Sequence, residues 1–162
     1  MSYLKTKKRK SLLQFSDSQK EASFQTLNKY LVDFSNLSLV TKQAHWNLQG
    51  KNFISVHEML DDFYEMLQKY VDIFAERLIQ INFPAIATAE HLARNSSFQE
   101  YPSEISSSEE HLYSLLERYS QTANSLRSDI DKAQADAATI DYYTQAVEEL
   151  DKAVWFIEAH LN

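Results

Sequence analysis

Four side chains that could bind a metal ion lie at helical spacing between residues 57 and 76. His57 and Asp61 are four residues apart, and so are Asp72 and Glu76. In a helix that turns about 100° per residue, all four fall within an arc of about 100° on one face. Imidazole with carboxylates is the ligand set of iron, manganese or zinc rather than calcium. The spacing therefore predicts a transition-metal site, and the alternative is an ordinary solvated helix face.

The two pairs cannot bind one ion within a single helix. Asp61 and Asp72 are separated by roughly 16 Å along the helix axis, whereas a ligand atom lies about 2 Å from its metal. The pairs are nevertheless symmetric about residues 66 and 67. If the helix packs antiparallel against its own copy, His57 faces the second Glu76 and Asp61 faces the second Asp72. This pattern predicts two equivalent sites across a two-fold dimer interface.

The opposite face of the same helix is apolar and should pack against the protein core. It consists of Met59, Phe63, Leu67, Tyr70, Phe74, Leu78 and Ile81.

Hydrophobic periodicity predicts an all-α protein with four long helices and one short helix. The predicted segments are about 18–49, 52 or 55 to 82, 89–94, 107–134 and 139–161. Two connections are short, and the middle one is long and contains both prolines. This is the connectivity of a four-helix bundle with one crossover, as in ferritin-like folds.

Several residues mark the predicted ends of these helices. Gly50, the only glycine in the chain, is expected to take a left-handed conformation where the first helix ends. Ser55 with Glu58 and Ser107 with Glu110 have the spacing of capping boxes. Pro84 should stop the second helix.

Composition limits the class of protein further. The chain has 162 residues, which suits one domain, and it has no cysteine, which excludes disulfides and thiolate metal sites. No apolar run approaches the roughly 20 residues of a membrane span. The first residues lack the apolar segment of a signal peptide, so the expected location is the cytoplasm.

Charge is divided unevenly along the chain. The formal net charge is −7, and five basic residues lie within the first ten positions, so the rest of the chain carries −12. We expect a flexible basic arm over residues 1–17 and a bundle domain over residues 18–162.

The metal-capable helix and the end of the helix before it resemble a known family signature. The pattern is HWN-x-x-G-x-x-F-x-x-x-H-E-x-x-D from His45, followed by D-x-x-A-E-R from Asp72. It resembles the signature of the Dps family, the DNA-protecting ferritin-like proteins of starved bacteria. The segments LSLVTKQAHWN and ELDKAVWFIEAHL are also similar to this family, and the resemblance runs from about residue 16 to 162.

The resemblance implies a hollow homododecamer that oxidises Fe(II), usually with hydrogen peroxide, and stores ferric mineral. Its dinuclear iron sites would lie at the two-fold interface. The implied ligands are His45, His57 and Asp61 of one subunit with Asp72 and Glu76 of the other. Trp46 resembles a family tryptophan near the centre, which is either a sacrificial electron donor or an interface residue.

The resemblance also implies that the basic arm binds DNA non-specifically, which would make the protein nucleoid-associated. The arm residues are Lys5, Lys7, Lys8, Arg9 and Lys10. A merely solvated tail is the alternative. Three acidic residues fall where the family surrounds its three-fold iron channel, namely Asp136, Asp141 and Glu149. Ala137 and Ala138 depart from that pattern, because some relatives are acidic there.

Two rival functions would leave different marks in the sequence. A maxi-ferritin, with its di-iron centre inside each bundle, requires Glu-x-x-His pairs on two helices, and the chain has no such pair. The second rival is a non-enzymatic, DNA-compacting assembly of the same fold, which would be expected to have lost metal ligands. The remaining histidines, His91, His111 and His160, are interpreted as surface or structural residues.

Overall fold

The computed structural model describes residues 12–162, and five helices make up most of this part of the chain. They are α1 (Asp17–Asn47), α2 (Phe53–Gln80), α3 (Ala89–Asn95), α4 (Ser108–Lys132) and α5 (Ala137–Leu161). Short connections join α1 to α2 and α4 to α5. The long connection from α2 to α4 carries α3. The predicted all-α, ferritin-like architecture with one crossover is therefore confirmed.

The crossover returns the chain to the end of the bundle where α1 stops. The amide of Gln49, just beyond α1, donates to the carbonyl of Ser106 over 2.8 Å. The amide of Ser108, at the start of α4, donates to the carbonyl of Gln49 over 2.9 Å. These bonds place the start of α4 beside the α1–α2 connection. Consequently α4 runs parallel to α2 and antiparallel to α1.

The core is built from leucine and aromatic side chains on all four long helices. Phe34 of α1 meets Phe74 and Tyr70 of α2 edge-on, with ring centroids 5.2 and 5.9 Å apart. Tyr119 of α4 and Tyr143 of α5 are fully buried. The apolar face predicted for α2, from Met59 to Ile81, is buried throughout. Among residues 12–162, no helix combines the length and apolar character needed to cross a membrane.

One of the two predicted capping boxes forms, and the other does not. Ser107 caps α4, and Glu110 closes the predicted capping box. The box predicted at Ser55 is wrong, because α2 begins earlier, after Asn52, and the hydroxyl of Ser55 donates to the Asn52 carbonyl over 3.0 Å. An unpredicted box forms at Ser16, where α1 begins.

Two helix ends also differ from prediction. Gly50 has a positive φ of 128°, as expected, but it lies in the connecting turn beyond Leu48, the residue that caps α1. The second helix stops before Pro84. Asn82 adopts a left-handed φ of 69°, and the amide of Phe83 donates to the carbonyl of Leu78 over 2.9 Å. This is the hydrogen bond of a Schellman motif, in which asparagine replaces the more common glycine.

Candidate metal centre

The turn between α1 and α2 folds His45 against His57. The Nδ1–H of His45 donates to the carbonyl of His57 over 2.9 Å, and the Nδ1–H of His57 donates to the carbonyl of His45 over 3.1 Å. Because a carbonyl only accepts, these bonds assign the proton of each neutral ring to Nδ1 and leave the Nε2 lone pair for a cation. The rings stack with centroids 3.6 Å apart. Two imidazole rings are thus oriented by backbone carbonyls.

Asp61 completes a cluster with these two rings. It follows His57 by one helical turn, which puts both side chains on the same face of α2. One potential ligand atom from each of His45, His57 and Asp61 lies within 4.8 Å of the others. His45 is buried, whereas His57 and Asp61 are partly exposed, so the cluster opens to the surface. The structure therefore brings together the three residues predicted to come from one subunit.

Lys42 pairs directly with the carboxylate of Asp61. The hydrogen bond from this ammonium holds the pKa of Asp61 below its usual range, and the neighbouring His45 and His57 act in the same direction. The carboxylate is consequently ionised at neutral pH, which is the state that binds a cation. Sequence analysis missed Lys42. It lies three residues before His45, and this helical spacing could have revealed it.

Asp72 and Glu76 do not join the cluster within one chain. Both are exposed on α2. Asp72 lies eleven residues beyond Asp61, which is roughly 16 Å along the helix. A single chain therefore offers three of the five predicted ligands in one place and two in another.

Trp46 and the residues predicted to form a channel are spread over the surface. Trp46 follows His45 but is 70% exposed. Asp141 and Glu149 lie on α5, exposed and partly exposed respectively, and Asp136 caps the start of that helix. Asp136 and Glu149 are thus separated by roughly 20 Å along α5. The arm residues Lys5, Lys7, Lys8, Arg9 and Lys10 lie outside the described residues.

Asp136 has a structural task that sequence analysis missed. The guanidinium of Arg77 donates to its carboxylate over 2.7 Å and to the hydroxyl of Thr139 over 2.9 Å. Burial opposes ionisation of Asp136, but the hydrogen bonds from Thr139 and Arg77 outweigh it and lower its pKa. Arg77 belongs to the A-E-R motif, and it ties the end of α2 to the start of α5.

The other histidines fit their structural interpretation. His111 is buried, and its Nδ1 lies 2.7 Å from the hydroxyl of Tyr101. Burial lowers the pKa of His111, so its ring is neutral at pH 7. His160 is exposed and donates to the carbonyl of Phe156 over 2.8 Å. His91 is partly exposed on the short helix α3.

Comparison with known proteins agrees with this fold. A family model described as a ferritin-like domain matches residues 24–162. A DNA protection during starvation protein of Agrobacterium fabrum (strain C58 / ATCC 33970) is 41% identical over 138 residues, which span 84% of this chain and 85% of that protein. The protein of the same name from Mycolicibacterium smegmatis is 32% identical over 137 residues, spanning 84% and 75%. The solved tetragonal form of Mycobacterium smegmatis Dps has a TM-score of 0.89 at 30% identity, with 94% of each chain covered.

The crossover bundle and the match over residues 24–162 define a ferritin-like protein. The identity to two DNA protection during starvation proteins, over most of the chain, narrows this class. The chain belongs to the Dps family.

Proposed function

We propose that this protein is a ferroxidase that oxidises Fe(II) at centres shared between two subunits and stores the ferric product inside a homododecamer. The observation that carries the proposal is the division of the candidate ligands between a cluster at the start of α2, which includes His45 of α1, and the second half of α2. His45, His57 and Asp61 converge, while Asp72 and Glu76 remain exposed beyond reach. A second copy packed antiparallel would bring the missing carboxylates to each cluster.

Apolar side chains around the cluster support burial by a second copy. Ile54 of α2, three residues before His57, is 61% exposed. The ring of Phe53, which is also exposed, lies 5.0 Å from that of His57. Exposed apolar residues grouped beside polar ligands are typical of an interaction surface. Trp46 lies in the same region, and we assign it either to packing at this interface or to electron donation.

The chemistry follows from the ligand types. Hard carboxylate oxygens favour Fe(III) over Fe(II), so they make oxidation more favourable, and imidazole is a good ligand for iron. With hydrogen peroxide as oxidant, each of two Fe(II) ions gives one electron, the O–O bond breaks, and two protons complete two molecules of water. About one peroxide should be consumed for every two irons, as expected for a two-metal site. This route avoids releasing hydroxyl radical.

The proposal extends to DNA and to iron entry. The relatives are named for DNA protection during starvation. The basic residues within the first ten positions would supply phosphate contacts that an acidic body cannot. Such a protein would act beside the nucleoid. Asp136, Asp141 and Glu149 are our candidates for an iron channel between subunits, although Asp136 already pairs with Arg77.

Complementation tests the shared centre most directly. One variant carries His57→Ala with Asp61→Ala, and the other carries Asp72→Ala with Glu76→Ala. Each variant alone should fail to oxidise Fe(II) with peroxide, because every centre needs one pair from each chain. In a mixed dimer one centre loses both pairs and the other keeps both. Random co-assembly makes half of the dimers mixed, so about a quarter of all centres should recover.

Controls separate the site from the assembly. Size-exclusion chromatography should show the wild-type oligomer for both variants, and mass spectrometry should confirm mixed assemblies. If confirmed mixed assemblies oxidise no more iron than either variant alone, the centre is not shared. Wild-type oxidation rates in the Asp72→Ala, Glu76→Ala variant would exclude these carboxylates as ligands. A non-enzymatic assembly would be favoured only if the wild type itself oxidised no iron.

A further inference from the structure

Lys42 pairs with Asp61, one of the three residues of the candidate metal cluster. It lies on α1, three residues before His45, and contacts the Asp61 carboxylate directly. The Lys42 side chain is 21% exposed and that of Asp61 is 45% exposed, so the pair sits at the edge of the cluster. The Nδ1 of His45 lies 3.4 Å from the same carboxylate oxygen. A cation that binds this carboxylate oxygen must therefore compete with Lys42.

We propose that Lys42 is a built-in competitor of the metal, which holds Asp61 until a divalent cation displaces its ammonium. This inference rests on the proposed iron centre. Lys42 is thus a positioning residue that sets the affinity of the site without being a ligand. A bound cation must break the Lys42–Asp61 pair, and the apparent affinity falls by the cost of breaking it.

The ring of Tyr64 gives the displaced ammonium a second partner. The Nζ atom of Lys42 lies 4.9 Å from the centroid of this ring. Tyr64 follows Asp61 by three residues, so the carboxylate and the ring flank the ammonium along one face of α2. A cation over an aromatic face keeps a favourable contact that does not depend on the carboxylate. Lys42 can therefore leave Asp61 without becoming unpartnered.

Competition of this kind affects every cation by the same factor. It does not change the ratio of two metal affinities, but it lowers occupancy by weak binders. Mg²⁺ loses its hydration water reluctantly and gains little from imidazole, so it should displace Lys42 poorly. Ions that suit imidazole and carboxylate together bind strongly enough to replace the ammonium. The result is a centre that remains neutralised by Lys42 until such an ion arrives.

If Lys42 had the opposite role, its removal would change the metal affinity in the opposite direction. If Lys42 only orients Asp61 as a ligand, removing its ammonium should weaken metal binding. If Lys42 competes, removal should strengthen it. Titration of the full-length assembly with Co²⁺, followed by calorimetry and by cobalt absorption, separates the two without relying on oxidation. Lys42→Met keeps the aliphatic stem and should bind Co²⁺ about two- to fivefold more tightly than wild type, the range expected for a partly exposed pair.

Two further variants exclude a general effect of charge. Lys42→Arg keeps the charge but can pair with Asp61 through two hydrogen bonds, so it should bind Co²⁺ more weakly than wild type. Lys69→Met is the matched control. Lys69 is exposed on α2, with its ammonium 5.1 Å from the ring of Tyr70. The Lys69→Met variant loses the same charge and the same kind of aromatic contact as Lys42→Met. Its affinity for Co²⁺ should stay at the wild-type value.

Unchanged or weaker binding by Lys42→Met would overturn the inference. If that variant does not fold, as judged by circular dichroism, Lys42→Arg decides, and equal or tighter binding by it overturns the inference. The Asp61→Ala variant tests whether the proposed metal centre exists, independently of the role of Lys42. Loss of Co²⁺ binding in Asp61→Ala supports the centre whatever Lys42 does. If Asp61→Ala binds Co²⁺ as wild type does, the proposed centre is wrong and the inference fails with it.

Discussion

Glu76 and Arg77 are adjacent near the end of α2, and their side chains lie in opposite environments. Glu76 is exposed, as a ligand donated to a second subunit must be. Arg77 is buried and donates to Asp136, Thr139 and Gln80. Because Arg77 anchors this part of α2 to α5, it also fixes the backbone from which Glu76 projects. The A-E-R motif thus combines a candidate ligand with the residue that holds it in place.

The Arg77–Asp136 pair gives a prediction at the scale of single residues. Asp136→Asn keeps a good helix cap but removes the charge, so it should lower the free energy of unfolding at pH 7 by about 1–3 kcal/mol. The pKa of Asp136 is lowered in the folded state. Its stabilisation is therefore present above the ordinary aspartate pKa of about 3.9 and is lost as pH falls through the lower folded-state pKa. The difference between wild type and variant should shrink on acidification.

Urea unfolding at a series of pH values measures this difference. Asp131→Asn, which changes an exposed carboxylate on α4, serves as the control and should follow the wild-type curve. A gap between wild type and Asp136→Asn that stays constant down to pH 2 would show that the ionised pair is not its cause.

At the scale of elements, the two predicted capping boxes allow a matched comparison of stability, because only the one at Ser107 forms. Ser107 accepts from the amide of Glu110 over 3.2 Å, and the Glu110 carboxylate accepts from the amide of Ser107 over 3.2 Å. Ser107→Ala should therefore cost about 1 kcal/mol of stability. Ser55 caps nothing, so Ser55→Ala should stay within about 0.5 kcal/mol of wild type. Denaturant midpoints with unchanged slopes provide the measurement, and equal losses in both variants would contradict the assigned caps.

At the scale of the whole molecule, the basic arm and the acidic body should have separate tasks. Deleting residues 2–10 removes Lys5, Lys7, Lys8, Arg9 and Lys10 and should abolish retardation of DNA in a gel. Several arms on one assembly act together, so wild-type binding should be tight, independent of sequence and steeply weakened by salt. Iron oxidation should be unaffected, which serves as the control for folding. DNA binding that persisted after the deletion would assign it to another surface.

Much of the fold follows from local sequence, because residues three and four positions apart lie on the same face of a helix. The periodicity of α2 alone identified the buried row from Met59 to Ile81 and the opposite row that carries His57, Asp61, Asp72 and Glu76. Helix ends were harder to predict. The prediction of a capping box at Ser55 was wrong because α2 already begins after Asn52, directly beyond the turn at Gly50. At the other end, the left-handed Asn82 ends α2 before Pro84 is reached.

Only the tertiary structure decided which distant side chains meet. Lys42 and Asp61 lie on different helices, and Arg77 and Asp136 are 59 residues apart. Such contacts depend on how helices pack, and the spacing of residues along one helix does not contain that information. The reciprocal bonds between His45 and His57 likewise need the turn that folds α1 onto α2. The sequence by itself determined which residue types were available and on which helix face they lie, because both are local properties. Packing decided that Lys42 would contact Asp61, the aspartate that we propose as a metal ligand.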